Sequence, residues 1–218
     1  MKANKIFSQG NPFNEFMTKV FNVMEVNLLW TVCSLGIITI GASTTAMYYV
    51  LLKMTKDEDT GISKMFFHSF KENFKQSIPL TLIMLGLGTI VVLDFHILGT
   101  SDTNGGSMLY GFSLVLMMVL IAVYGYVWPL LARFVNTVGG TLNNAWRLAV
   151  THLPKTLLMT AGTCIPFLWF LLWPGSFIQV FWIWLVIGTA AVAFGCSFLL
   201  EGILEEIAPE DEKEEDHD

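Results

Sequence analysis

Charge is what this chain has least of. Only 14% of its 218 residues are Asp, Glu, Lys or Arg, against about 25% in soluble domains. With 54% hydrophobic residues and a mean hydropathy of +0.59, that scarcity excludes an ordinary water-soluble globular domain. Disorder is excluded too, except at the acidic C-terminus. Cysteine is scarce as well. Cys33, Cys164 and Cys196 lie inside apolar runs, lack metal-ligand spacing and number 3, so they read as small core residues in a reduced setting. No nucleophile elbow, zinc-protease pair, Walker loop or dinucleotide fingerprint occurs,. No ionisable side chain sits at the centre of an apolar run, which disfavours a proton-coupled carrier with buried carboxylates. The expectation is a protein that is not an enzyme, with no catalytic set, no cofactor, no bound metal and no nucleic-acid partner.

What the chain does have is long apolar runs. A spanning helix needs roughly 20 mainly apolar residues to cross about 30 Å of hydrocarbon. Val26–Leu52 carries no charge, nor does Ser77–Leu93, which extends to Leu98 if Asp94 and His96 lie at the interface. Thr103–Ala132 and Thr156–Leu200 are also uncharged. The last is too long for one crossing, and Pro174-Gly175-Ser176 is a turn signal that divides it. The expected fold is all-α, a polytopic helical membrane protein with five to six membrane-embedded helices and two interfacial amphipathic helices. Residues 1–208 form a single membrane domain with spans near 26–52, 77–98, 108–131, 157–173 and 177–200. Residues 209–218 form an acidic tail that is expected to be disordered. The lipid bilayer is the first expected partner, and a homo-oligomer is compatible with the pattern.

The first run is ambiguous. It reads as one long crossing, or as a helical hairpin from near Pro12 to near Asp57 with a turn at Gly36–Ala42. Gly36, Thr39 and Gly41 are the candidate helix break. Positive-inside counting bears on the choice. Lys53–Lys75 and Arg133–Lys155 hold the basic loops, whereas 94–107 and the Pro174 turn hold no base. A single crossing would leave Lys2, Lys5 and Lys19 outside; a hairpin puts all 12 Lys and Arg inside. The hairpin obeys the rule better. It places the C-terminus in the cytoplasm, and the N-terminus with it, in a bacterial cytoplasmic membrane.

The two basic loops share a design. Ser63–Gln76 sets Phe66, Phe67, Phe70 and Phe74 at helical spacing, with Lys64, His68, Lys71 and Lys75 on the remainder. Thr141–Val150 sets Leu142, Ala145, Trp146, Ala149 and Val150 opposite Asn143, Asn144 and Arg147. Ser63 and Thr141 read as N-caps. Pro79 and Pro154 then fall near the first turn of the next span, where a missing N–H is tolerated. Pro79-Leu80-Thr81-Leu82-Ile83-Met84 aligns with Pro154-Lys155-Thr156-Leu157-Leu158-Met159, a short internal repeat. Phe70, Lys71, Phe74, Trp146 and Arg147 are the candidate partner-contact residues. Trp128 and the tryptophans around Pro174 read as interfacial belts or packing. Gly188, Ala191 and Gly195 read as a small-residue strip for close helix approach.

Three segments carry a resemblance. Asn27-Leu28-Leu29-Trp30, Thr39-Ile40-Gly41-Ala42-Ser43-Thr44-Thr45-Ala46-Met47-Tyr48-Tyr49 and Phe66-Phe67-His68-Ser69-Phe70-Lys71-Glu72-Asn73-Phe74-Lys75-Gln76 resemble the YesL family of small integral membrane proteins from Bacillus-like bacteria. The resemblance covers nearly the whole chain except the acidic tail. Gly36 and Ala42 depart from it, because many members are expected to carry proline there. The resemblance implies an accessory role beside carbohydrate uptake of the ATP-driven (ABC) type, with a carbohydrate transporter complex as the partner. It carries over no functional residues. The second functional class is a stand-alone carrier or channel for a small neutral solute.

Overall fold

The computed structural model describes residues 12–58, 60–99 and 106–207. The acidic tail, and the centre of the 94–107 loop, lie outside the described residues. Eight α-helices follow in order: α1 Pro12–Cys33, α2 Ile40–Thr55, α3 Ile62–Gly99, α4 Gly106–Arg133, α5 Val138–Thr151, α6 Leu153–Leu172, α7 Pro174–Ile183 and α8 Thr189–Ile207. A 3₁₀ turn, Ile37–Thr39, precedes α2, and a π-helical turn, Trp184–Gly188, joins α7 to α8. There is no strand among the described residues.

The chain turns back within its first apolar run. Trp30 Nε1 donates to Thr44 Oγ1 at 3.1 Å near the turn, and Lys19 Nζ pairs with Asp57 at 2.7 Å at the open end. Those two contacts make α1 and α2 antiparallel. Helix α2 then lies at the centre, touching α1, α3, α4 and α8. Its hydroxyls are satisfied locally: Ser43, Thr44 and Thr45 donate to the carbonyls of Thr39, Ile40 and Gly41 at 2.7–2.9 Å. A helix can therefore carry three polar residues into an apolar surrounding without leaving a donor unmade.

Helices α3 and α4 are antiparallel neighbours. Asp94 accepts from Ser113, and the Phe95 and Tyr110 rings meet at 4.4 Å. At the other end the Gln76 side chain reaches the Asn136 carbonyl. Among the described residues, four segments are long and apolar enough to cross a membrane: Ile37–Thr55, Ile62–Ile97, Leu109–Arg133 and Pro174–Ile207. Helix α6, with 20 residues, runs about 30 Å at 1.5 Å per residue.

Several local expectations shift. Segment 63–76 is not a separate interfacial helix; it is the first part of α3, which runs unbroken through Pro79. Ile62, Phe66, Ser69 and Leu80 are all buried on this helix, so packing holds it on both sides of the proline. The corresponding segment, α5, does stand apart. It ends at Thr151 with His152 as its cap, and Pro154 occupies the first turn of α6. Ser63 lies inside α3, and its hydroxyl donates to Glu25 rather than capping. Helix α5 starts earlier than expected because Thr137, not Thr141, caps it by accepting from Gly140 N at 3.2 Å. Of the two readings of Trp128, belt or packing, the second holds: it lies in the core, 1% exposed. The close-packed face of α8 is Ala190, Ala193 and Ser197; Ala191 and Gly195 are turned away from contact.

Packing divides the molecule in two. Val26, Ala46, Val50, Leu51, Met54, Phe66, Leu80, Tyr126, Val127, Leu200, Ile203 and Leu204 are fully buried around α2. Beyond Thr81 on α3, and on the facing lengths of α4, α6 and α7, large apolar residues are exposed. Ile90, Val92, Phe112, Leu171, Ile178 and Trp182 each exceed 60%. So extensive an apolar surface is not a monomer's surface in water.

Candidate functional site

The candidate residues fall into two groups. On α3, Phe66 stacks on Phe70 at 6.3 Å and Phe70 meets Phe74 at 5.5 Å. Phe66 is wholly buried, so it roots this ladder in the core, while Phe70 and Phe74 are half-buried. Lys64, Lys71 and Lys75 are exposed beside it, and His68 faces Glu72 at 3.6 Å. On α5, the buried face is Thr141, Ala145, Leu148 and Ala149. Trp146 and Val150 therefore point away from the core, each 49% exposed, along with Arg147. The Gln76–Asn136 contact links the end of the Phe ladder to the start of α5. The candidates thus lie on two elements that touch. Phe70 and Phe74 sit on one of them, Trp146 and Arg147 on the other.

The break residues separate differently. Gly36 is extended (φ −86°, ψ 120°) and opens the 3₁₀ turn. Thr39 Oγ1 lies 2.6 Å from the Cys33 carbonyl and 2.7 Å from that of Gly36. It closes the turn by supplying a donor that the backbone lacks there. A Cβ on Gly36 would lie 2.9 Å from that hydroxyl. Gly41 is not part of the break. It lies in the first turn of α2, where a Cβ would fall 2.1 Å from Thr81 Oγ1 and 2.6 Å from the Trp128 ring. Its role is close approach of three helices.

Within the packed part of the molecule the structure partners polar residues that patterning did not single out. Tyr124 has its hydroxyl toward Thr44 and Trp128, and its ring meets that of Trp128 at 5.6 Å. Tyr126 and Thr156 share a hydrogen bond of 2.8 Å, and Thr156 also donates toward the Ala149 and His152 carbonyls. Thr81 and Thr156, equivalent in the short repeat, are both buried. Asn27, 1% exposed, donates to the Leu185 carbonyl at 2.7 Å and accepts from Ala190 N at 2.8 Å. The signal for Asn27 was its presence in an uncharged run, where an amide needs partners. Among the described residues no three His, Cys, Asp or Glu side chains gather as a metal set, and Cys33, Cys164 and Cys196 are free thiols.

Continuous apolar helices, their exposed outer lengths and hydroxyls satisfied within the helix define the class: an all-α helical membrane protein,. The family described as "Protein of unknown function, DUF624" matches residues 23–95. The chain is 28% identical to the uncharacterized protein YesL of Bacillus subtilis (strain 168) over 161 residues, covering 72% of this chain and 76% of that one. It is 28% identical to the uncharacterized protein YteU of the same organism over 169 residues, 73% of each. These similarities support a YesL-like family. No solved structure matches the chain significantly.

Proposed function

We propose that this protein is a non-enzymatic component of the bacterial cytoplasmic membrane that assists or regulates carbohydrate uptake of the ABC type. It does so by presenting the α3–α5 surface to a transporter complex. The observation that supports this is the pairing of Lys64, Lys71 and Lys75 with an aromatic ladder rooted in the core. An exposed aromatic and basic surface on rigid helices is what a protein partner uses as anchors. The carbohydrate connection comes from the family resemblance. In the proposed orientation Lys53–Lys75 and Arg133–Lys155 face the cytoplasm, and both termini lie on that side.

The test is charge reversal at Lys71 and Arg147 together, each to glutamate. Sugar uptake through a neighbouring ABC-type system should fall while membrane insertion and expression stay normal. Unchanged uptake in cells that depend on that system refutes the proposal. One observation favours a second reading, a carrier for a small neutral solute. Trp30, Thr44, Tyr124 and Thr81 place hydrogen-bonding groups around α2 where no charge is present. Solute flux into liposomes holding this protein alone would select that reading over the first.

A further inference from the structure

The joint between α7 and α8 is a π turn, Trp184–Gly188. A π turn holds one residue more than the α-helix around it and occurs frequently at functional positions. In α-helical register the Ala190 N–H would donate to the Val186 carbonyl. Here the Asn27 amide bridges the turn, donating to the Leu185 carbonyl at 2.7 Å and accepting from Ala190 N at 2.8 Å. The bridge comes from α1, which is distant in sequence, and the amide is 1% exposed. A second observation marks the same place. A Cβ on Gly188 would lie 2.4 Å from the Trp184 indole. That ring therefore lies flat on a residue that must be glycine while the turn is wide.

We infer that Asn27 and the π turn form a two-state joint. With Asn27 engaged, Leu185 and Ala190 are satisfied by a side chain and the turn stays wide. With Asn27 withdrawn, the α-helical ladder is the fully bonded alternative. Closing the turn to α rotates α7 against α8 by about 100°, one residue's share of a turn. The Trp184 ring then swings off Gly188, and the exposed apolar face at Ile178 and Trp182 turns with it. The latch sits beside a second attachment. Glu25, two residues before Asn27, accepts from Ser63 at the foot of α3. Lys19 on the same helix pairs with Asp57 before α3. A pull on the foot of α3 therefore reaches the joint through α1. The coupling is carried by an element with two fully bonded arrangements, which is the physical requirement for transmission between distant sites.

The experiment uses the full chain in liposomes with Cys33, Cys164 and Cys196 replaced. Spin labels at Ile178 and Leu87 report α7 against α3, and a pair at Phe198 and Glu206 reports α8 alone. N27A should change the 178–87 distance by several ångströms, up to the chord of about 8 Å that a 100° turn at side-chain radius allows, and leave the 198–206 distance unchanged. G188A should move it in the same direction, because a methyl group displaces the indole. Deleting Val186 removes the extra residue, so this deletion should restore the wild-type distance in the N27A background. If N27A fails to fold, the double variant alone decides: recovery with the wild-type distance supports the joint, and failure to recover overturns it. An unchanged 178–87 distance in folded N27A also overturns it.

Discussion

Helix α2 and the outer length of α3 are both apolar, yet they meet different surroundings. The stretch within Ile37–Thr55 is 67% buried inside the protein, against 22% for the stretch within Ile62–Ile97. Helix α2 carries Gly41, Ser43, Thr44 and Thr45; outer α3 carries Leu82, Leu85, Leu87, Ile90 and Leu93. Small and hydroxyl-bearing residues let helices approach and bond where no water competes. Bulky aliphatic residues give a surface compatible with acyl chains. Both stretches are apolar enough to cross a membrane, and what sets their surroundings apart is side-chain size and hydrogen bonding.

If that contrast is correct, substitutions of the same kind should have very different effects in the two regions. The largest expected effect is Trp128→Ala, which empties the contact with Gly41 and Tyr124. It should cost about 3 kcal/mol or more, read as a drop in thermal midpoint in detergent, whereas Trp182→Ala should cost well under that. Gly41→Val should follow, at about 3 kcal/mol, because its side chain would enter Thr81 and Trp128,. Gly86→Val, with nothing within 4 Å, should leave the midpoint nearly unchanged. Asn27→Leu removes both hydrogen bonds of the amide bridge at the π turn, for about 2 kcal/mol,. The smallest effect should come from Leu87→Ala, within about 0.5 kcal/mol, since lipid replaces the contacts a core would lose. Equal losses at Gly41 and Gly86 would break the comparison.

Much of the fold was legible because apolar runs and basic loops are coarse signals. A turn inside Val26–Leu52 could be read from the charge count together with Gly36 and Thr39. What patterning could not resolve was the purpose of a glycine. Gly36 serves a turn and Gly41 serves a helix contact, and spacing alone does not distinguish them. Trp128 could be read as belt or packing because it ends an apolar run; the choice of packing depends on Gly41, distant in sequence. Pro79 suggested a helix start, and tertiary packing of Phe66 and Leu80 overrode it. Asn27 had no periodic partner to reveal it, because it binds backbone atoms of Leu185 and Ala190. The α3 part of the candidate surface was visible as helical spacing of phenylalanines. The α5 face was less so, since the helix begins at Val138 and turns Trp146 outward.

The central claim is that one end of α3 stands in water and the other in hydrocarbon. Nitroxides placed singly at Lys71 and at Ile90 in liposomes test it, through relaxation by oxygen, which concentrates in lipid, and by a water-soluble nickel chelate. The account predicts strong chelate relaxation at 71 and strong oxygen relaxation with little chelate effect at 90. Chelate access at position 90 equal to that at position 71 would contradict it.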